Sequence, residues 1–251
     1  MLNKIDIEDI KDIAKKAGEA VMDIYNKDFS VEYKDDNSPL TVADLKANEI
    51  ICCGLKELYP DIEIMSEENK EIEYSVRKEW EYYWCIDPID GTKEFIKKNG
   101  EFTINIALIY KDTPVLGVVY APVLDDMYSA KKGDGAFKNC IRLPIKRDDD
   151  KLVIVASKSH MSDETKEFIS SIKTTKEKVL ISKGSSLKLC MVAEGVADIY
   201  PRLAPTMEWD TAAADAIVRE SGKVSLQFNT DKPIIYNKKN LVNPWFMVEE
   251  L

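Results

Sequence analysis

Two aspartates three residues apart, Asp87 and Asp90, stand inside the segment Trp84–Phe95, which reads WCIDPIDGTKEF. The apolar residues before them predict a strand. Pro88 removes a backbone donor and is expected to help end it, and Gly91 admits a tight turn. That geometry aims both carboxylates at one point beyond the strand end. Like charges held so close are costly unless positive charge sits between them, and a hard divalent cation with oxygen ligands is the natural occupant. A lone DxxD reads as an Asp-rich surface turn; the whole string DPIDGT favours a metal site. His160 is the only histidine, so His-based zinc or acid–base schemes have little support.

The elements that must position these residues are legible in outline. Ile7, Ile10, Ile13, Ala14, Ala17, Val21 and Ile24 recur at helical spacing and predict an amphipathic first helix. An extended piece at Val31–Tyr33 leads into a turn. Thr41 then has the chemistry of an N-cap, with Asp44 three residues on where a capping-box partner belongs, and the second helix is expected to run to about Leu58. Beyond Pro60, Ile62–Met65 reads as a strand that delivers SEEN into a loop. Tyr83–Ile86 is a strand entering DPIDGT. Apolar runs at Thr103–Tyr110, Val115–Tyr120 and Asp126–Ala130, separated by turn residues, read as neighbouring strands of one sheet.

The polar stretch KRDDDK at Lys146–Lys151 is the expected boundary between lobes. Residues 1–148 would form an N-terminal α+β lobe and residues 149–251 a smaller α/β lobe. In the second, Leu152–Ala156 and Lys178–Ile181 read as strands, and Ser185–Ala193 and Thr211–Ser221 as helices.

At 251 residues the chain is long enough to bury a sizeable core, and 45% hydrophobic with 32% charged residues describes an ordinary globular protein. A formal charge of −10 argues against binding a nucleic-acid polymer, although local lysines and bound cations can reverse the field inside one cleft. The five cysteines contain no CxxC pair and sit in apolar stretches, as reduced thiols do. The first residues lack a signal-peptide core, and no apolar run is long enough to span a bilayer. The expected compartment is the cytoplasm, with peripheral membrane association not excluded. The oligomeric state is not set by the sequence; a homodimer is compatible with it.

DPIDGTKEF, with SEE at Ser66–Glu68 upstream and WDTAAAD at Trp209–Asp215 downstream, resembles the inositol monophosphatase superfamily of metal-dependent, lithium-sensitive phosphatases. The nearer likeness is to its 3′(2′),5′-bisphosphate nucleotidase branch. The shared landmarks run from DNSPLTVAD at Asp36–Asp44 to NPWF at Asn243–Phe246. The resemblance implies an α/β (α+β) chain in a layered αβαβα sugar-phosphatase fold, with the active site between two lobes. It assigns the side chains of Glu67, Asp87, Asp90 and Asp210, and the carbonyl of Ile89, to two or three Mg²⁺ ions, with Glu68 as a neighbour. Asp44 and Thr92 would orient and activate the water that attacks phosphorus. Read without the resemblance, Asp44 is a helix-capping acid and Asp210 a good residue to begin a helix; both readings are compatible with the catalytic ones.

SKSH at Ser157–His160, GSSLKL at Gly184–Leu189 and YPR at Tyr200–Arg202 resemble the nucleotidase branch specifically. Gly184, Ser185 and Ser186 open a predicted helix whose free N–H groups suit an anion. Lys188 and Arg202 would contact a second, non-reacting phosphate, Arg being suited to bidentate contact. Gly91, His160 and Ser185 would complete the substrate-binding set. Lys158 departs from the branch, where many relatives carry arginine.

The implied substrate is a small phosphorylated molecule, 3′-phosphoadenosine 5′-phosphate first, in the recycling of a by-product of sulfate activation and sulfotransfer. The alternatives are a phosphatase for inositol phosphates or fructose 1,6-bisphosphate, and a non-catalytic nucleotide-binding regulator, against which the retained Asp44 and Thr92 speak. A P-loop kinase is excluded: GTK at Gly91–Lys93 is not GxxxxGK[ST].

Overall fold

Apolar stripes at helical spacing and apolar runs at strand length sort this chain into layers. The computed structural model describes residues 1–27, 31–33, 39–147, 150–157 and 161–250. Helix α1 (Ile7–Tyr25) buries Ile10, Ile13, Ala14, Ala17 and Val21, and Asp6 caps it by accepting from the Glu8 amide. The short strands β1 (Val31–Tyr33) and β2 (Pro39–Thr41) pair antiparallel and lead into α2 (Val42–Leu58), which begins on the expected Thr41–Asp44 capping box.

Seven strands then form the main sheet in chain order. They are β3 (Glu63–Ser66), β4 (Tyr82–Asp90), β5 (Thr103–Tyr110), β6 (Thr113–Ala121), β7 (Asp126–Lys131), β8 (Gly135–Lys138) and β9 (Ile141–Arg142). Only the β3–β4 pair of this sheet is parallel. The four-residue helix α3 (Tyr74–Arg77) lies between β3 and β4, and α4 (Thr92–Ile96) follows β4.

The runs are continuously apolar because both sheet faces are covered. Trp84, Ile106 and Val118 face the cluster under α1 and α2, whereas their successors Cys85, Ala107 and Val119 face the opposite cluster. That second cluster is shared with α6 (Leu187–Glu194) and α7 (Trp209–Glu220). Helix α7 lies so close to β6 that a Cβ on Gly117 would land on the Ala213 carbonyl oxygen. Gly117→Ala is therefore expected to cost about 1–3 kcal/mol of stability through overpacking, read as a fall in the urea midpoint at unchanged slope.

Beyond these helices lie β10 (Lys151–Ala156) and β11 (Glu177–Ser182), paired in parallel. An antiparallel set β12 (Tyr200–Arg202), β14 (Phe246–Glu250) and β13 (Lys223–Gln227) accompanies them, joined to β10 by an Ile154–Ile199 bridge. Helix α5 (Asp163–Ser171) packs on this side through Phe168, whose ring meets Phe228 at 5.3 Å. The succession α1/α2, main sheet, α6/α7, second sheet, α5 is the layered αβαβα order.

Strand β4 differs from its expected form. Pro88 does not end it: pairing with β5 continues through Asp90, with Asp87 opposite Asn105 and Asp90 opposite Thr103. Three steps on β4 match two on β5, so one residue is extra. This is a β-bulge, one of the few places in a sheet that tolerates proline. The predicted helix at Ser185 starts later, at Leu187, because Ser185 itself takes the left-handed region (φ 48°).

All five cysteines are free thiols, with Cys85 and Cys190 buried. Among the described residues no helix is long and apolar enough to cross a membrane.

Candidate active site

The capping box that starts α2 also builds part of a site. Asp44 is buried, and its Oδ2 accepts from the Thr41 amide at 2.7 Å and the Thr41 hydroxyl at 2.6 Å. Its other oxygen, Oδ1, accepts from the Thr92 hydroxyl at 3.2 Å. Thr92 Oγ1 also stands 3.3 Å from the Ile89 carbonyl oxygen. Burial pushes the Asp44 carboxyl up, opposed by the hydrogen bonds from Thr41 and Thr92.

The carboxylates meet where several elements end. The Glu67 amide donates to the Ile86 carbonyl at 3.1 Å, so the chain stays beside β4 just past the end of β3. Asp87 sits at the start of the bulge, with Oδ1 accepting from the Ile89 amide at 3.1 Å. Asp210 lies in the first turn of α7, and its Oδ2 accepts from the Met207 amide at 2.8 Å. Glu67, Asp87 and Asp210 each present a carboxylate oxygen within 4.8 Å of the others. Asp90, beyond the bulge, lines the same cavity as these three and Ile89.

Burial, with Glu67, Asp90 and Asp210 adding repulsion, pushes the Asp87 carboxyl well above the usual carboxylate range. Burial and Asp90 push Asp210 up to about 8. Such a group of acids is stable only with protons or with a cation among them. Every donor in the set is a hard oxygen, so the residues fit a small divalent ion of the Mg²⁺ type and lack the sulfur and imidazole of a zinc site.

The cavity, about 280 Å³, is also lined by two cations, Lys188 and Arg202. Lys188 is buried, its Nζ donating to the Ser185 carbonyl at 2.6 Å and standing 5.6 Å from the centre of the Tyr200 ring. Burial draws its pKa down to about 8, against the pull of Asp90. Arg202 donates to the Pro205 carbonyl at 2.9 Å and keeps a buried Nε without a partner in the described structure. Ser185 lines the cavity with its buried Oγ equally unpartnered. Gly91 lines it too, at φ 95°, where a side chain would be strained and would press on the Glu101 carbonyl oxygen.

One expectation is corrected. The Gly184 amide is not open to an anion, because it donates to Glu101 Oε2 at 2.8 Å. Of SKSH, Ser157 lines the cavity, whereas Lys158 and His160 lie outside the described residues.

The profile of the inositol monophosphatase family matches residues 4–249. The chain belongs to this family. It is 44% identical over 247 residues to the 3′(2′),5′-bisphosphate nucleotidase CysQ of Escherichia coli (strain K12), covering 96% of this chain and 98% of that protein. It is 45% identical, over the same spans, to CysQ of Salmonella typhimurium. The crystal structure of CysQ from Bacteroides thetaiotaomicron superposes with a TM-score of 0.89 at 44% identity, over 97% of this chain and 96% of that one.

Within this inositol monophosphatase family site, three supporting residues were not legible beforehand. Ser186 Oγ lies 2.7 Å from Asp90 Oδ2 and 2.6 Å from the Asp210 carbonyl oxygen, and accepts from Asn105 Nδ2 at 2.8 Å. It thereby joins β4, β5 and α7 behind the carboxylates. Asn48, one turn after Asp44 on α2, accepts from the Ser66 hydroxyl at 2.7 Å and donates to Asn69 Oδ1 at 2.9 Å, holding both ends of the Glu67 loop. The GSS string marks a helix start, but not which serine faces inward; Asn48 and Asn105 carry no motif signal. Ser186→Ala removes the shorter of two donor contacts to Asp90 Oδ2, leaving Asn105 Nδ2 at 3.5 Å. If the acids hold Mg²⁺, it is expected to raise the Mg²⁺ concentration for half-maximal activity by about 10–100-fold, checked by titrating metal at saturating substrate.

Proposed function

We propose that this protein is a magnesium-dependent phosphatase that removes the 3′-phosphate of 3′-phosphoadenosine 5′-phosphate, releasing AMP and inorganic phosphate. The observation that supports this most is a single cavity lined both by the carboxylates and by two cations, Lys188 and Arg202. A substrate with two phosphates suits that arrangement: one takes part in the reaction and the other is held.

Glu67, Asp87, Asp90 and Asp210, with the Ile89 carbonyl, would hold two or three Mg²⁺ ions. When bound, these ions neutralise phosphate oxygens and lower the pKa of a water. Asp44 and Thr92 orient the attacking water, the Thr92 hydroxyl donating to the Asp44 carboxylate and accepting from the water. Lys188 and Arg202 clamp the second phosphate, Arg202 as a planar donor and Lys188 as a point charge. Ser185, Gly91 and His160 complete the nucleotide side. In this reading residues 1–148 supply most of the metal ligands, and residues 149–251 supply Asp210 and the substrate contacts.

The test is a phosphate-release panel with Mg²⁺, comparing 3′-phosphoadenosine 5′-phosphate with its sulfated precursor, inositol monophosphate and fructose 1,6-bisphosphate. The bisphosphate nucleotide is expected to show the highest kcat/KM. A higher value for the inositol or sugar phosphate would overturn the substrate, and tight nucleotide binding without phosphate release would overturn catalysis. Millimolar Li⁺ is expected to inhibit by competing for a weak Mg²⁺ position; undiminished activity would count against the metal scheme.

A further inference from the structure

Behind the acidic cluster, away from the substrate cavity, the chain carries a buried polar cross-link to which the phosphatase reading gives no role. Glu208 is fully buried, two residues before Asp210 at the start of α7. Its Oε2 accepts from the Asn237 amide at 2.7 Å, and its Oε1 from the Lys238 amide at 2.9 Å and Lys238 Nζ at 2.7 Å. The Glu208 amide in turn donates to the Leu241 carbonyl at 3.0 Å.

The same short segment is gripped from the opposite side. Arg77, 1% exposed, closes α3, which follows the Glu67 loop in the chain. It donates from Nη1 to Asn237 Oδ1 at 2.9 Å and from Nη2 to the Lys239 carbonyl at 3.1 Å, while Asn237 Nδ2 returns a bond to the Arg77 carbonyl at 2.8 Å. At the far end of the segment, Asn243 Nδ2 donates to the Met207 carbonyl at 2.8 Å. Met207 is the residue whose amide holds Asp210 Oδ2.

A cavity of about 380 Å³ is bounded by the Glu67 loop on one side, Met207 and Trp209 on another, and residues 239–241 on a third. A buried ion pair is weak support for stability, because desolvation offsets its attraction; its best-attested use is to fix one geometry.

We propose that residues 237–243 form a positioning strap that sets the separation of Glu67 from Asp210, with Arg77 and Glu208 as its positioning residues. The inference rests on the metal-site reading above and goes beyond it in assigning work to residues that touch neither metal nor substrate. Glu208→Gln discriminates well, because both Glu208 oxygens accept from N–H groups. Whichever way the amide turns, its NH₂ faces a donor. Arg77→Lys keeps the charge but loses the two-point grip.

The experiment is calorimetric titration of wild type, Glu208→Gln and Arg77→Lys with Mg²⁺ alone, together with heat unfolding in chelator. Both variants are expected to bind Mg²⁺ about tenfold more weakly, and at saturating Mg²⁺ to keep the wild-type KM for substrate. Lower unfolding temperatures with unchanged Mg²⁺ affinity would overturn the proposal and leave the two residues purely structural. Should Glu208→Gln fail to fold, Arg77→Lys alone decides by the same criterion. A wild-type protein that binds no divalent ion would overturn the metal-site reading and the strap together; binding by wild type with equal affinity in the variants would overturn the strap alone.

Discussion

Asp90→Asn is expected to lower phosphate release by about 10³-fold or more, the loss of several kcal/mol of charge stabilisation in the transition state. The substitution is nearly isosteric. The Ser186 hydroxyl, now 2.7 Å from Asp90 Oδ2, would draw the remaining carbonyl oxygen towards itself. The new NH₂ then points at the cavity and puts a donor where a cation needs an acceptor. The effect on stability runs the other way. Burial holds the carboxyls of Asp87 and Asp210 above their usual range, and Asp90 adds repulsion to it. Removing its charge relieves the metal-free cluster, so in chelator the variant should unfold at the wild-type temperature or above it. Added Mg²⁺ should raise the melting temperature of wild type much more than that of the variant. Near-normal turnover would remove Asp90 from the site, and a large fall in melting temperature in chelator would mean that its role is structural.

How far the site was legible follows from which features are local. The Thr41–Asp44 capping box and the stripe of α1 lie within one helix each, and the structure has both where the spacing puts them. The convergence of Glu67, Asp87 and Asp210 was legible only through the family resemblance, because the residues alone pair Asp87 with Asp90 and make Asp210 a helix-starting residue. The bulge was not. Pro88 has the local signature of a strand end, and only the partner strand decides that pairing resumes at Asp90. Ser186 was passed over in favour of Ser185 because both suit a helix start; the positive φ of Ser185 shifts the helix and turns Ser186 towards Asp90. Asn48 and Asn105 are ordinary residues until the fold brings Ser66, Asn69 and Ser186 to them. Helix α5 went unseen for a related reason: its one buried residue, Thr165, leaves no apolar stripe to read.

Thr92→Val tests the other half of the site. Valine keeps the branched shape and removes only the hydroxyl, which now donates to Asp44 Oδ1 at 3.2 Å. Asp44 cannot follow a displaced partner, because its second oxygen is held twice by Thr41, at 2.7 and 2.6 Å. If this pair positions the attacking water, as proposed, it would offer that water one fixed position, and its contribution would arise as the water loses a proton rather than when substrate binds. The expected result is a fall in kcat of about 10²–10⁴-fold, the usual scale for a lost proton-transfer group, with KM and Mg²⁺ dependence close to wild type. Thr92→Ser restores a hydroxyl on the same Cβ and should recover most of the rate. If KM or Mg²⁺ affinity changed instead of kcat, Thr92 would be a turn residue supporting the Ile89 carbonyl, which lies 3.3 Å from its hydroxyl. If Thr92→Val were fully active while Asp44→Asn was inert, Asp44 would act on the water without an intermediary.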